Sequence, residues 1–181
     1  MKGTIARCLQ DVVVKVAGES VWKEVLTDNG WRPTQIFTPG ADLPDEKVTA
    51  LITTVCEKLN LTIEQAANAF GEHWVTVYAP EVYPSLTKNL SSVREYLESM
   101  NGTHERVTRT IANAHPPRFE FEWESDQVLN MRYVSTRNMV EVCAGLVRGL
   151  GKMFGESLTV QVLGRDRIRV EWAEAVKKVA V

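Results

Sequence analysis

The sequence predicts an α+β domain, a helical N-terminal part packed on a C-terminal antiparallel sheet that carries helices of its own. Three observations carry this expectation. Apolar residues recur at helical spacing from the N-terminus to about residue 111. Pro116-Pro117 then stops the helical part. Beyond it, two pairs of strand-like segments flank one long helical stretch, and that order of elements is the α+β pattern. The chain has 181 residues, enough for one well-buried core and short for two. The expectation is therefore a single domain over 1–181, with a helical part at about 1–60 and the remainder at about 61–181.

Residues 1–16 carry Ile5, Leu9, Val12, Val13 and Val16 at helical spacing, and Ser20 to Leu26 reads as a short second helix. Asn29-Gly30 breaks the chain, and Pro33, Pro39 and Pro44 mark a loop. Asp45 is placed to cap a third helix running to about Leu59. A fourth starts at Thr62, with Glu64 in its first turn to favour the helix dipole, and is expected to end at Pro80 and Pro84. From Leu86 to about Ile111, residues Val93, Leu97, Met100, His104, Val107 and Ile111 form one continuous face. His104 thus occupies a place where leucine is expected, just after Gly102, which weakens the helix by about 1 kcal/mol relative to alanine. FEFEWE (119–124) and LNMRYVS (129–135) alternate around Ser125-Asp126, a hairpin pattern. A helix is expected from about Thr136 to Phe154. SLTVQVL and RIRVEW then form a second hairpin around Gly164-Arg165-Asp166.

Composition narrows the function classes. The formal charge is −2, and no basic tract suggests nucleic-acid binding. The longest apolar runs fall short of a membrane span, and the N-terminus lacks the layout of a signal peptide. The expectation is a soluble cytoplasmic protein. Cys8, Cys56 and Cys143 are far apart and odd in number, as free thiols in a reducing compartment would be.

Two features carry chemistry. A histidine in an apolar stripe is commonly a core residue with a satisfied hydrogen bond; the alternative is an axial ligand, a neutral imidazole aimed into an apolar pocket. His73 and His115 read as an exposed neighbour of Trp74 and a loop residue. The second feature is Tyr133-x-Ser135-x-Arg137, at the junction of a strand and a helix. Ser135 could be a plain N-cap, Tyr133 a packing residue and Arg137 a surface charge. In an extended chain the three would share one side, where a guanidinium fork and two hydroxyls suit carboxylates or phosphates. Glu120, Glu122 and Glu124 read as a solvated strand face. Gly149 and Gly151 lie within a helical pattern, not in a phosphate loop.

A helix-borne histidine, then Pro-Pro, then Tyr-x-Ser-x-Arg is similar to the haem-nitric oxide/oxygen-binding family, H-NOX. The resemblance covers nearly the whole chain: MKGTI, NGWRP and the following Thr-Pro, AFGEHW, THERV, HPPRF, YVSTR and GLVRGLGKMF occur in order. It implies a haem buried between the helical part and the sheet. His104 would be the proximal iron ligand, and Tyr133, Ser135 and Arg137 would hold the propionates of a non-covalent haem b. Pro117 matches a proline that presses on the porphyrin, Ile5 a residue packed on the haem face, and Gly71 a pivot for the N-terminal helices.

By the same resemblance the distal pocket comprises Leu9, Trp74, Tyr78, Val142 and Leu146. Oxygen-binding members carry a tyrosine where this chain has Val142. The resemblance therefore implies a nitric oxide sensor, with carbon monoxide as a second candidate ligand, that discriminates against oxygen and signals by releasing His104. Tyr78 or the Trp74 N–H could instead supply an oxygen-stabilising donor. A distal acid–base pair for peroxidase-type chemistry is lacking, so no enzyme is expected. The implied partners are a histidine kinase, a cyclic-di-nucleotide enzyme or a fused chemotaxis receptor. The tail EWAEAVKKVAV fits either a helix leading into an effector or a short terminal helix.

Overall fold

The computed structural model describes residues 1–87 and 89–173. The chain runs through α1 (Gly3–Ala17), α2 (Glu19–Asp28), α3 (Asp45–Leu59) and α4 (Ile63–His73), then a π-helix (Trp74–Tyr78) and the short turns α5 (Ala79–Val82) and α6 (Pro84–Thr87). Next come α7 (Val93–Thr110), β1 (Arg118–Ser125), β2 (Val128–Val134), α8 (Val140–Phe154), β3 (Leu158–Val162) and β4 (Arg167–Trp172). The strands form one antiparallel sheet in the order β1-β2-β4-β3. The two sequence hairpins thus join through β2 and β4, which pair from Val128–Glu171 to Arg132–Arg167. The α+β expectation holds. Of the tail expected as a helix, Glu171 and Trp172 belong to β4, and the part from 174 onward lies outside the described residues.

Four local expectations are corrected. Asp45 is the first residue of α3, and its side chain caps nothing there; it pairs with the Met1 ammonium and with Arg137. Pro80 does not end the fourth helix. It lacks an N–H for the residue 76 carbonyl and its ring would clash there, and the preceding turn widens to a π-helix that carries the chain on to Val82. The His104 helix begins at Val93, not near Leu86, because Ser92 accepts the Glu95 N–H at 3.1 Å and caps it. The last helix begins at Val140, not Thr136. Ser135 Oγ accepts the Arg137 N–H at 3.3 Å and Asn138 takes a positive φ of 52°, so the junction is a turn.

The apolar interior falls into two clusters. One lies between the sheet and helices α7 and α8, with Leu129, Met131, Ile168, Val147 and Leu150 at its centre. The other lies among α1, α2, α3 and α4, with Leu9, Val13, Trp22, Phe37, Leu51 and Phe70. Trp74 packs against both. The outer face of the sheet is paired charge: Arg132 holds Glu120 and Asp166, and Arg169 holds Glu124 and Glu171. The Glu120–Glu124 face is solvated, as alternation requires.

α4 and α8 cross in backbone contact. A Cβ on Gly145 would stand 2.1 Å from the Ala67 carbonyl oxygen, and one on Gly71 would stand 2.1 Å from the Gly145 carbonyl carbon. Arg148 of α8 fastens the crossing, reaching Asn68 Oδ1 at 2.9 Å and the Val160 carbonyl at 2.7 Å. α4 is thereby bound to α8 and the sheet.

Candidate functional site

His104 stands over the edge strand β1. Asn101, one turn earlier on α7, accepts the Phe119 N–H at 2.9 Å and donates to the Phe119 carbonyl at 2.7 Å. That pair satisfies edge-strand backbone and sets α7 in register with β1. It brings the half-buried His104 ring 5.6 Å from Phe119 and its Nδ1 2.8 Å from the Pro117 carbonyl oxygen. A carbonyl only accepts, so Nδ1 carries the proton and the lone pair is on Nε2. Among the described residues Nε2 makes no hydrogen bond. Burial, helped by Arg118, pushes the imidazole below its ordinary pKa range, although the Pro117 bond works the other way. The ring is neutral at pH 7, the form that binds a metal.

Phe119 links His104 to the second motif, since its ring lies 6.2 Å from that of Tyr133. Tyr133 is buried on β2, two residues before Ser135. Burial, the largest effect, pushes the phenol up, so it stays protonated and able to donate. Arg137 is turned back by the Ser135 turn. Its Nε donates to Asp45 Oδ2 at 2.7 Å and its Nη1 to the His115 carbonyl, while Nη2 makes no hydrogen bond among the described residues. Burial acts to raise Asp45, but the Met1 ammonium and Arg137 prevail and hold its carboxyl below the usual range. The three motif residues thus come together, through a turn and not through one extended strand. His115 contributes its carbonyl, and half-buried His73 closes α4.

The residues expected on the other side also gather. Ile5, Leu9, Trp74, Tyr78 and Val142 pack on the helical cluster, and Leu146, one turn along α8 from Val142, on the sheet cluster. Phe70, Trp74 and Tyr78 stack in series at 5.7 and 5.2 Å. The Tyr78 hydroxyl is hydrogen-bonded to Thr4 Oγ1 at 3.0 Å, and the Tyr83 hydroxyl reaches the same Thr4 oxygen at 3.2 Å. Trp74 Nε1 makes no hydrogen bond among the described residues.

A third group escaped sequence reasoning. Lys2 donates to Asp42 and to the Ala112 carbonyl, and Asn113 Nδ2 donates to Asp42 Oδ2 at 3.0 Å. With Asp45–Arg137 these bonds clasp the N-terminal part to the turn that follows α7. Their partners lie 40 to 110 residues apart, and no local pattern announces them.

Among the described residues no three His, Cys, Asp or Glu side chains converge as a metal site. A metal reaching Nε2 would have to bring its other ligands with it. The family model described as haem-NO-binding matches residues 2–162. The chain belongs to this family.

Solved H-NOX structures share the fold of this H-NOX chain. A mutant Cs H-NOX domain carrying 4-cyano-L-phenylalanine is 26% identical, with a TM-score of 0.85 over 97% of this chain and 98% of that one. An oxygen-binding H-NOX domain related to soluble guanylate cyclases, solved as its oxygen complex, is 25% identical with a TM-score of 0.81 over the whole of both. Soluble guanylate cyclase gcy-34 of Caenorhabditis elegans is 24% identical over 92% of this chain and 25% of its own length. Soluble guanylate cyclase gcy-32 of the same organism matches over the same shares. The chain spans about a quarter of these curated relatives. It is a haem-binding gas-sensor domain of the H-NOX type, with no helix among the described residues long and apolar enough to cross a membrane.

The residues present suit a haem. One neutral imidazole offers an unpartnered Nε2, half-buried apolar residues flank the two clusters, and donors suited to carboxylates stand at Tyr133, Ser135 and Arg137.

Proposed function

We propose that this domain senses nitric oxide at a ferrous, non-covalently held haem b and discriminates against oxygen. The carrying observation is the Nδ1 bond from His104 to the Pro117 carbonyl, which leaves the Nε2 lone pair to hold a haem iron. When bound, the haem would supply the iron that takes up the gas, with His104 Nε2 as its protein ligand. Tyr133, Ser135 and Arg137, whose Nη2 makes no hydrogen bond among the described residues, would hold the propionates. Ile5 and Pro117 would press on the ring. Leu9, Val142 and Leu146 present no polar atom to a gas, and the Tyr78 hydroxyl is hydrogen-bonded to Thr4 Oγ1. Polarised oxygen would thereby forgo about 1.5–3 kcal/mol of hydrogen bonding, which nitric oxide does not need. In the rival reading, as an oxygen sensor, Trp74 is the donor whose N–H is uncommitted.

The chain's part in signalling is mechanical. His104 sits on α7, and α7 runs into the turn held by Lys2, Asp42 and Arg137. Movement of His104 therefore pulls on contacts with the N-terminal part. Because α4 is bound to α8, the piece free to rotate is α1–α3, about residues 1–60, and the bound piece is about 61–181. The output would pass, in the cytoplasm, to a histidine kinase, a cyclic-di-nucleotide enzyme or a fused chemotaxis receptor.

Hydrogen exchange tests this coupling. Nitric oxide added to the reduced protein should raise exchange at 38–45 and 111–115. Asp42→Ala should exchange fast there beforehand, with little further change. Unaltered exchange in the wild type on nitric oxide binding would contradict release through the clasp.

A further inference from the structure

We infer that Thr4, with Tyr83 behind it, is a gas-selectivity determinant that holds the Tyr78 hydroxyl in a protein hydrogen bond and so withholds it from a ligand in the distal pocket. The inference rests on the functional reading above and deepens it.

Tyr78 is 3% exposed and stacks on Trp74, in the same apolar cluster as Leu9 and Val142. A hydroxyl released there is the donor that Val142 cannot be. What prevents this lies outside the pocket. Thr4 is 7% exposed, held on α1 with its N–H bonded to the Pro39 carbonyl at 3.2 Å, and its Oγ1 lies between two phenols, 3.0 Å from Tyr78 and 3.2 Å from Tyr83. Three hydroxyls carry three protons, and the two bonds among them use two. Hydroxyl protons rotate, so the same oxygens carry a relay in either sense, Tyr83 to Thr4 to Tyr78 or Tyr78 to Thr4 to Tyr83, and burial decides which proton is left over. Tyr83 is half-buried and can turn its proton to water, whereas a proton stranded on Tyr78 would leave a buried donor unmet. The favoured arrangement spends the Tyr78 proton on Thr4.

Thr4→Val keeps the shape and removes the acceptor. The reduced Thr4→Val protein should bind oxygen roughly ten- to a hundredfold more tightly than wild type, the worth of one hydrogen bond to a polarised ligand. Thr4→Ser should stay at the wild-type value, and adding Tyr78→Phe to Thr4→Val should abolish the gain. Melting gives a readout independent of gas binding: Thr4→Val and Tyr78→Phe should each lower the Tm, and the double variant no further than the worse single one. Should Thr4→Val fail to load haem, Tyr78→Phe decides alone. With the hydroxyl withheld, Tyr78→Phe leaves the C–O stretch of carbon monoxide bound to the reduced protein unchanged, and a shifted stretch overturns the inference. Wild-type oxygen affinity in a loaded Thr4→Val, or additive Tm losses, also overturns it. A wild type that itself holds oxygen stably defeats the functional reading, whereas an unchanged Thr4→Val beside a selective wild type defeats only the role of Thr4.

Discussion

Replacing His104 with alanine should strip the haem from the purified protein, and imidazole in the buffer should restore it. With Nδ1 committed to the Pro117 carbonyl, His104 presents the Nε2 lone pair that an iron would take. Losing an outer partner of a metal ligand commonly costs 10–100-fold in metal affinity, and losing the ligand itself should cost more. Free imidazole fits the gap, because the Pro117 carbonyl that oriented the native ring is left without its donor. The restored protein should nevertheless be deaf. Its imidazole is not attached to α7, so nitric oxide should leave exchange at 111–115 unchanged. Full haem retention by His104→Ala without imidazole would remove His104 from the proximal position. A wild-type exchange response in the rescued protein would leave the position intact and refute the coupling.

The second large effect concerns the frame. Gly145→Ala should cost about 3 kcal/mol, at the upper end of the range for overpacking, because the added methyl meets the backbone of Ala67 and not a side chain able to move. For a chain of this length that is a Tm fall of roughly 6–12 °C. Gly102→Ala is the control of opposite sign. Gly102 is exposed within α7 with nothing near its Cβ position, so alanine should stabilise by up to about 1 kcal/mol through helix propensity. Calorimetry on the two variants checks both. A Gly145→Ala protein melting with the wild type would mean that α4 and α8 yield at their crossing, and the division of moving parts between α3 and α4 would fail with it.

The strands were legible because alternation is a strong local signal: RIRVEW is β4 residue for residue, and FEFEWE lies within β1. The stripe through His104 was legible for the same reason, at helical period. The errors share a cause, in that a residue's local preference was spent elsewhere. Asp45 suits a helix cap, yet two cations from other parts of the chain claim its carboxylate. Pro80 reads as a stop, yet a π-turn absorbs it. Ser92-x-x-Glu95 did mark the true start of α7, and the apolar spacing overshadowed it. Tyr133, Ser135 and Arg137 were found by their spacing, but the turn that gathers them depends on the Asn138 conformation. The Lys2–Asp42–Asn113 clasp and the Thr4–Tyr78 bond had no local signal, since their partners lie 40 or more residues apart in the chain.

The central claim, selective sensing of nitric oxide through His104, is tested most directly by the visible spectrum of the reduced, haem-loaded protein under nitrogen, then air, then nitric oxide. The account predicts that air leaves the ferrous spectrum stable and that nitric oxide converts it to a form lacking the histidine ligand. A stable oxygen-bound spectrum in air would contradict it and make Trp74 the donor to replace.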